Sequence, residues 1–192
     1  MTQIFQFKIT LNEIKPSIWR RFLVKDNISF QKLHETIQVV MGWDDYHLYS
    51  FYLNKEEISP PDSENDSLNA KKIKLKDKLS LKNKFGYVYD FGDNWEHSLV
   101  VERIFDQDYK TPFIPFCLEG KRACPPEDCG STWGYYKLQE IKKDKNHKEY
   151  EDMIVEWLGE DFDFEEFNLQ EINNRLSTLV NTGGRATFWG LE

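Results

Sequence analysis

The stretch FGYVYDFGDNWEHSLVVERIF, residues 85–105, decides the fold. Phe85, Tyr87, Tyr89 and Phe91 occupy alternate positions, and so do Trp95, His97, Leu99 and Val101. Successive side chains of a strand point to opposite faces, so each set lines one face of one strand. Between the two sets, Gly92, Asp93 and Asn94 tolerate the positive φ angles of a tight turn. The segment reads as an antiparallel hairpin, 85–91 paired with 95–105, near the centre of a sheet. The alternation predicts that Trp95 and Leu99 are buried together.

Working outward, Phe5, Phe7, Ile9 and Leu11 alternate with Gln6, Lys8 and Thr10, which predicts a half-buried strand. A turn over 12–16 leads to its hairpin partner, IWRRFLV, 18–24. Ser29 caps a helix with Phe30, Leu33, Ile37, Val40 and Met41 at helical spacing, and Gly42 ends it. LYSFYL, 48–53, is a third strand. Residues 56–69 are polar, contain Pro60-Pro61 and read as a mobile loop. Past the hairpin, 104–132 reads as irregular. Tyr150, Met153, Ile154, Trp157 and Leu158 then form a helical stripe stopped by Gly159. Asn168 with Glu171 resembles a capping box, followed by an apolar face of Leu169, Ile172, Leu176 and Leu179. Strands come first and helices last, without βαβ alternation. That predicts an α+β fold, a mainly antiparallel sheet covered by helices with a helical C-terminal third. Residues 1–182 read as one domain. Residues 183–192 read as a flexible tail, and Leu191-Glu192 has the form of a cloning scar.

Composition narrows the function classes. The chain has 192 residues, 30% charged and 15% aromatic, a globular rather than disordered make-up. No apolar run approaches the ~20 residues of a membrane span, and the N-terminus has no basic-then-apolar layout. A cytoplasmic location with reduced thiols is expected. Residues 1–89 carry 14 basic and 11 acidic groups, a net +3, and residues 90–192 carry 11 and 22, a net −11. The acidic half opposes a phosphate backbone. Residues 71–84, with seven lysines and one aspartate, read as a solvated face, with nucleic-acid contact as the alternative.

Chemistry-bearing residues concentrate between 87 and 136. Asp90, Asp93, Glu96 and His97 lie within eight residues, and carboxylates with an imidazole hold a divalent cation or run acid–base chemistry. Strand alternation sends Glu96 and His97 to opposite faces, so all four converge only across a bulge. The plainer reading makes Asp93 and Asn94 turn builders, has Asp90 bonding backbone, and packs His97. Further on, CLEGKRACPPEDCGSTWGY, 117–135, carries Cys117, Cys124 and Cys129 around a Pro125-Pro126 step. These are either buried inert thiols, a structural zinc site completed by His97, His47 or a carboxylate, or a reactive thiol. Lys121 and Arg122 offer two cations to a small anion, or form a surface turn. His47 follows Trp43-Asp44-Asp45-Tyr46 at a helix–strand junction, a common place for a pocket or a simple turn. His34 sits on the apolar side of its helix as a core-edge residue, and His147 precedes a helix as a near-cap. In 161–167 (DFDFEEF), the phenylalanines pack beneath an acidic rim. The candidate cleft is therefore Asp90, Asp93, Trp95, His97, His47, Lys121, Arg122 and Trp133. The sequence has no G-x-S-x-G elbow, Walker A loop, dinucleotide fingerprint or H-E-x-x-H.

KPSIWRRFLV (15–24), SFQKLHETIQVVMGWDDYHLYSF (29–51), YVYDFGDNWEHSLVVE (87–102), CLEGKRACPPEDCGSTWGY and EWLGEDFDFEEFNLQEINNRL (156–176) resemble the plasmid pRiA4b open-reading-frame-three-like family. Some members of that family are passengers of insertion-sequence elements. The resemblance implies an α+β domain and a mobile-element setting, and no established activity. Members often resemble HLHEF where this chain has HLYSF at 47–51, so Tyr49 stands where a second histidine would be. The reading that follows is a binding or accessory module of a mobile-element protein set, its partner a protein or a small anionic ligand. One alternative is a metal-dependent enzyme using the Asp90, Asp93 and His97 region with the cysteine loop. Another is a nucleic-acid-binding accessory protein using 71–84 with Arg20 and Arg21.

Overall fold

The computed structural model describes residues 2–61, 66–108 and 113–181, the side chains of 180 and 181 excepted. The tail read over 183–192 lies outside the described residues. In chain order the elements are β1 (Gln3–Leu11), β2 (Trp19–Lys25), α1 (Phe30–Met41), β3 (Tyr49–Leu53), β4 (Glu56–Ser59) and β5 (Leu68–Asn69). A single-turn α2 (Leu75–Lys78) precedes β6 (Lys84–Tyr89), β7 (Trp95–Asp106) and β8 (Phe116–Lys121). Then come α3 (Ser131–Lys143), a π-helical stretch (Glu151–Leu158) and α4 (Leu169–Asn181). All eight strands join one sheet in the order β5-β4-β3-β6-β7-β1-β2-β8. Every pair is antiparallel except β4 with β5. This is the α+β architecture that the strand-first, helix-last pattern predicts.

The hairpin sits at the sheet centre, with Tyr89 opposite Trp95, Tyr87 opposite His97 and Phe85 opposite Leu99. All six side chains are buried on the inner face. There Phe7, Phe22, Phe30, Phe51 and Phe85 pack edge-on, tilted or stacked, with ring centroids 5.2 to 6.3 Å apart. Burying one such side chain contributes about 1.5–3 kcal/mol. α1 lays Phe30, Leu33, Ile37, Val40 and Met41 on that face. It starts where Ser29 accepts from the Lys32 N–H and stops at Gly42, whose φ of 110° favours glycine. Asn168 accepts from the Glu171 N–H at 3.1 Å and starts α4, which packs against β8 and α1.

Several expectations are corrected. Residues 56–69 are not simply a loop: Ile58 and Ser59 are buried in β4, and Leu68–Asn69 add a strand at the sheet margin. The polar composition there reflects an edge strand with one wet face. Phe91 does not share the inner face of Phe85, Tyr87 and Tyr89. The strand ends at Tyr89, Asp90 adopts a φ of 55°, and Phe91 turns out to solvent. The stretch 104–132 is only partly irregular, because β7 runs on to Asp106 and β8 lies within it. In the 150–158 stripe, Tyr150 and Ile154 are buried but Trp157 is exposed. No helical segment among the described residues is long and apolar enough to cross a membrane.

β8 is an edge strand, and Asn173 of α4 covers it. Its Oδ1 accepts from the Cys117 N–H at 2.8 Å, and its Nδ2 donates to the Cys117 carbonyl at 3.0 Å. One amide thus imitates the next strand. Asn173→Ala is expected to lower stability by about 1–3 kcal/mol, because it leaves two part-buried backbone groups unpaired. Asn173→Asp should fail to restore it, having no N–H to offer the carbonyl. Urea unfolding of both variants checks this.

Candidate functional site

Three connections meet at one end of the sheet: the α1–β3 loop, the β6–β7 turn and the segment after β8. Each is braced to the others. In the first, Trp43 is buried and donates its indole N–H to the Pro125 carbonyl at 3.0 Å. The Asp44 N–H donates to Glu127 Oε1 at 3.0 Å, and the Tyr46 N–H donates to the Tyr89 hydroxyl at 3.1 Å. Tyr89 in turn donates to Glu127 Oε1 at 2.9 Å. In the turn, Asp90 Oδ1 accepts from the Gly92 N–H at 2.8 Å, and the Asp90 N–H donates to the Leu48 carbonyl at 2.9 Å. Asp93 Oδ2 accepts from the Gly130 N–H at 3.1 Å, tying the turn to the cysteine loop. That loop depends on Gly134, since a Cβ there would fall 1.8 Å from the Cys129 carbonyl oxygen.

Asp45, at a φ of 60°, is held from beneath. Its N–H donates to Gln38 Oε1, and Gln38 Nε2 donates to the Tyr87 hydroxyl. That leaves the Tyr87 proton for His34 Nδ1 at 2.8 Å, and the His34 Nε2–H for Asp45 Oδ1 at 2.6 Å. His34 is buried and stacked on Tyr49, ring centroids 3.5 Å apart. It is a core histidine, as its helical position predicts, and it anchors the loop that presents His47. Tyr49 lies with it on the inner face, beneath the cleft.

His47 occupies the centre. Its Nδ1 is 3.7 Å from Asp90 Oδ1, and its Nε2 is 3.3 Å from Asp128 Oδ1 and 3.8 Å from Glu127 Oε2. One ligand atom each from His47, Asp90 and Asp128 lie within 4.8 Å of one another. Among the described residues this is the one such group of His, Cys, Asp and Glu. The Asp90 carboxylate is only 8% exposed, whereas Asp128 is 72% exposed. Burial pushes the Glu127 carboxyl above its usual range, against hydrogen bonds from Asp44 and Tyr89. His47 Nε2 and Glu127 Oε2 are both buried atoms with no hydrogen-bond partner.

The other candidates fall elsewhere. Trp95 and His97 are buried in the core. His97 Nδ1 lies 3.3 Å from the Tyr87 carbonyl, the ring meets Trp43 edge-on, and burial pushes its pKa down to about 3. Cys117 sits on β8, its Sγ near the Arg21 and Glu119 carbonyls. Burial pushes Cys117 and Cys129 up to about 12 and raises Cys124 as well. Among the described residues, these thiols and His97 do not make a ligand group of the kind found at His47. Arg122 is no surface cation: it is buried, paired with Glu165 at 2.7 Å and donating to the Pro16 carbonyl at 2.6 Å. Lys121 is exposed on β8. Trp133 is 75% exposed, with the Lys137 ammonium 5.7 Å from its ring. Arg20, paired in the nucleic-acid reading with Arg21, is buried, and Arg21 is engaged with Glu102 and Glu119. The six exposed lysines of 71–84 remain the solvated face their spacing predicts, and Lys78 pairs with Glu56.

Glu127 and Asp128, between Cys124 and Cys129, are not among the candidates that the sequence motifs single out. The signal was present: a stiff Pro125-Pro126 step presents two consecutive carboxylates, which are costly to crowd unless something opposes them.

The chain is thus an α+β protein built on one eight-stranded sheet, with a histidine–carboxylate cleft at one end. The chain belongs to the plasmid pRiA4b ORF-3-like protein family, whose model matches residues 3–171. It is 33% identical over 189 residues to an uncharacterised protein of Sinorhizobium fredii, covering 94% of each chain. It is also similar to a crystal structure of a Methanosarcina mazei Go1 protein of unknown function, at 40% identity and a TM-score of 0.81. That match covers 89% of this chain and 98% of the other. None of these names carries a catalytic activity.

Proposed function

We propose that the chain is a cytoplasmic binding or accessory module of a mobile-element protein set, and that its cleft docks a basic segment of a partner protein. The observation that carries this reading is the make-up of the three braced connections. Residues 43–48, 90–94 and 124–133 hold six carboxylates and no lysine or arginine. The same connections expose four large hydrophobic side chains, Tyr46, Leu48, Phe91 and Trp133. Exposed aromatics beside a one-signed field mark a recognition surface, and a cationic peptide is the complementary occupant. The field is wrong for the small anion considered from sequence, and wrong for a nucleic-acid backbone. The mobile-element setting is supported by the plasmid origin of the family's name. The cytoplasmic setting is supported by three cysteines held as free thiols. Zinc held by those thiols is not part of this reading, because among the described residues they form no ligand group of the kind found at His47.

A peptide array graded in charge and aromatic content tests it. Peptides with several Lys or Arg and one aromatic should bind at least about tenfold more tightly than charge-neutral scrambles, ~1.4 kcal/mol. The preference should weaken with salt and disappear in Tyr46→Ala/Trp133→Ala, two surface changes that leave the core alone. Equal binding of acidic and basic peptides would remove the reading.

A further inference from the structure

We infer that the cleft also holds one divalent transition-metal ion on the Nε2 side of His47, with Asp128 and Glu127 as carboxylate ligands and Asp90 fixing the ring from behind. This goes beyond partner docking and does not depend on it.

Spacing is the first support. Ligand atoms about 2.1 Å from a tetrahedral ion lie roughly 3.4 Å from one another. His47 Nε2 stands 3.3 Å from Asp128 Oδ1 and 3.8 Å from Glu127 Oε2. Each oxygen is thus near ligand spacing from Nε2, and the ion draws Glu127 toward Asp128 by a side-chain movement, since the group already within 4.8 Å is His47, Asp90 and Asp128.

The second support is independent of distance. His47 Nε2 and Glu127 Oε2 are the buried polar atoms without hydrogen-bond partners here, and they face one another. A buried polar atom is destabilising unless something engages it. A cation between them engages both, and it also relieves the repulsion of two adjacent carboxylates. Glu127 is already oriented for this, since its other oxygen accepts from the Asp44 N–H and the Tyr89 hydroxyl. The remaining freedom is the His47 ring, whose Nδ1 faces Asp90 Oδ1 at 3.7 Å. A carboxylate behind a ligating histidine sets its tautomer and raises its basicity.

Ligand chemistry selects the ion. Calcium and magnesium take oxygen ligands, whereas an imidazole beside carboxylates suits zinc or manganese. The thiols are not involved.

The test uses the full chain, stripped with chelator and titrated separately with Zn²⁺, Mn²⁺, Ca²⁺ and Mg²⁺ by calorimetry, with elemental analysis of the dialysed product. The expected result is one equivalent of Zn²⁺ or Mn²⁺, bound at least about tenfold more tightly than Ca²⁺ or Mg²⁺. Asp128→Asn and His47→Gln should each weaken uptake about tenfold or more, while Cys124→Ser leaves it unchanged. Asp128 is exposed and already at a φ of 54°, which asparagine accepts, so this variant keeps the fold. Its metal-free melting temperature verifies that. No stoichiometric uptake, full uptake by both cleft variants, a preference for Ca²⁺ or Mg²⁺, or loss of metal in Cys124→Ser would each overturn the inference. Peptide binding without metal uptake would sink this site alone, and uptake without peptide selectivity would sink only the docking.

Discussion

Arg20→Met is expected to destabilise the protein by about 3 kcal/mol or more. Arg20 is 2% exposed and makes no ion pair among the described residues. Its guanidinium instead donates to four carbonyls: Nε to Val40 at 2.7 Å, Nη1 to Trp19 at 2.9 Å and Lys121 at 2.8 Å, and Nη2 to Arg122 at 2.7 Å. Val40 lies in the last turn of α1, where carbonyls have no partner in the helix and the dipole is negative. One fork of donors therefore closes a helix end and ties it to β2 and to the end of β8. The guanidinium also lies over the Phe167 ring, 4.9 Å from its centroid. Gly120 makes room for that, since a Cβ there would fall 2.6 Å from Phe167 and 2.7 Å from Arg20 Cδ. Methionine fills much of the volume but leaves four carbonyls without donors. Arg20→Lys should recover only part of the loss, because an ammonium cannot present the planar fork. Urea unfolding reads both variants, and a loss below about 1 kcal/mol for Arg20→Met would contradict the account.

His97 gives the second large effect, and it depends on pH. The folded ring has its pKa pushed from 6.5 down to about 3 by burial. Between those values the unfolded chain binds a proton that the folded chain refuses. Stability therefore falls as pH drops below 6.5, and the penalty stops growing only near pH 3. At pH 5 the expected loss is about 2 kcal/mol relative to neutral pH, at about 1.4 kcal/mol per unit. His97→Leu removes the titrating group. Its Nε2 has no hydrogen-bond partner, so the substitution leaves no new orphan on that side. The informative quantity is the stability gap between variant and wild type at pH 5 compared with pH 7.5. It should shift by about 2 kcal/mol in favour of the variant, since all other titrations are shared. An unchanged gap would mean that His97 takes up its proton without resistance.

The sequence by itself determined the two central hairpins, α1 with both its caps, and the α+β class. It did so because period-two alternation in 5–11 and 85–101 admits one buried face, and because Ser29 and Gly42 act on the backbone within a few residues. The candidate cleft was half legible. His47, Asp90 and Asp93 were named from local chemistry, at a junction and in a turn. Tertiary structure decided the rest. Nothing local says that Glu127 and Asp128 come to His47, because contacts across some 80 residues are set by the Trp43–Pro125, Tyr89–Glu127 and Asp93–Gly130 bonds. The same holds for the margins of the sheet. β4, β5 and β8 have weak patterns of their own and become strands because neighbours supply half of their hydrogen bonds. It holds also for Arg20 and Arg122, whose charges read as surface in sequence. Each is buried because distant chain segments bring it acceptors, three of the four carbonyls to Arg20 and a carboxylate with a carbonyl to Arg122. A sequence shows the groups a residue carries, and only the packed chain shows which of them find partners.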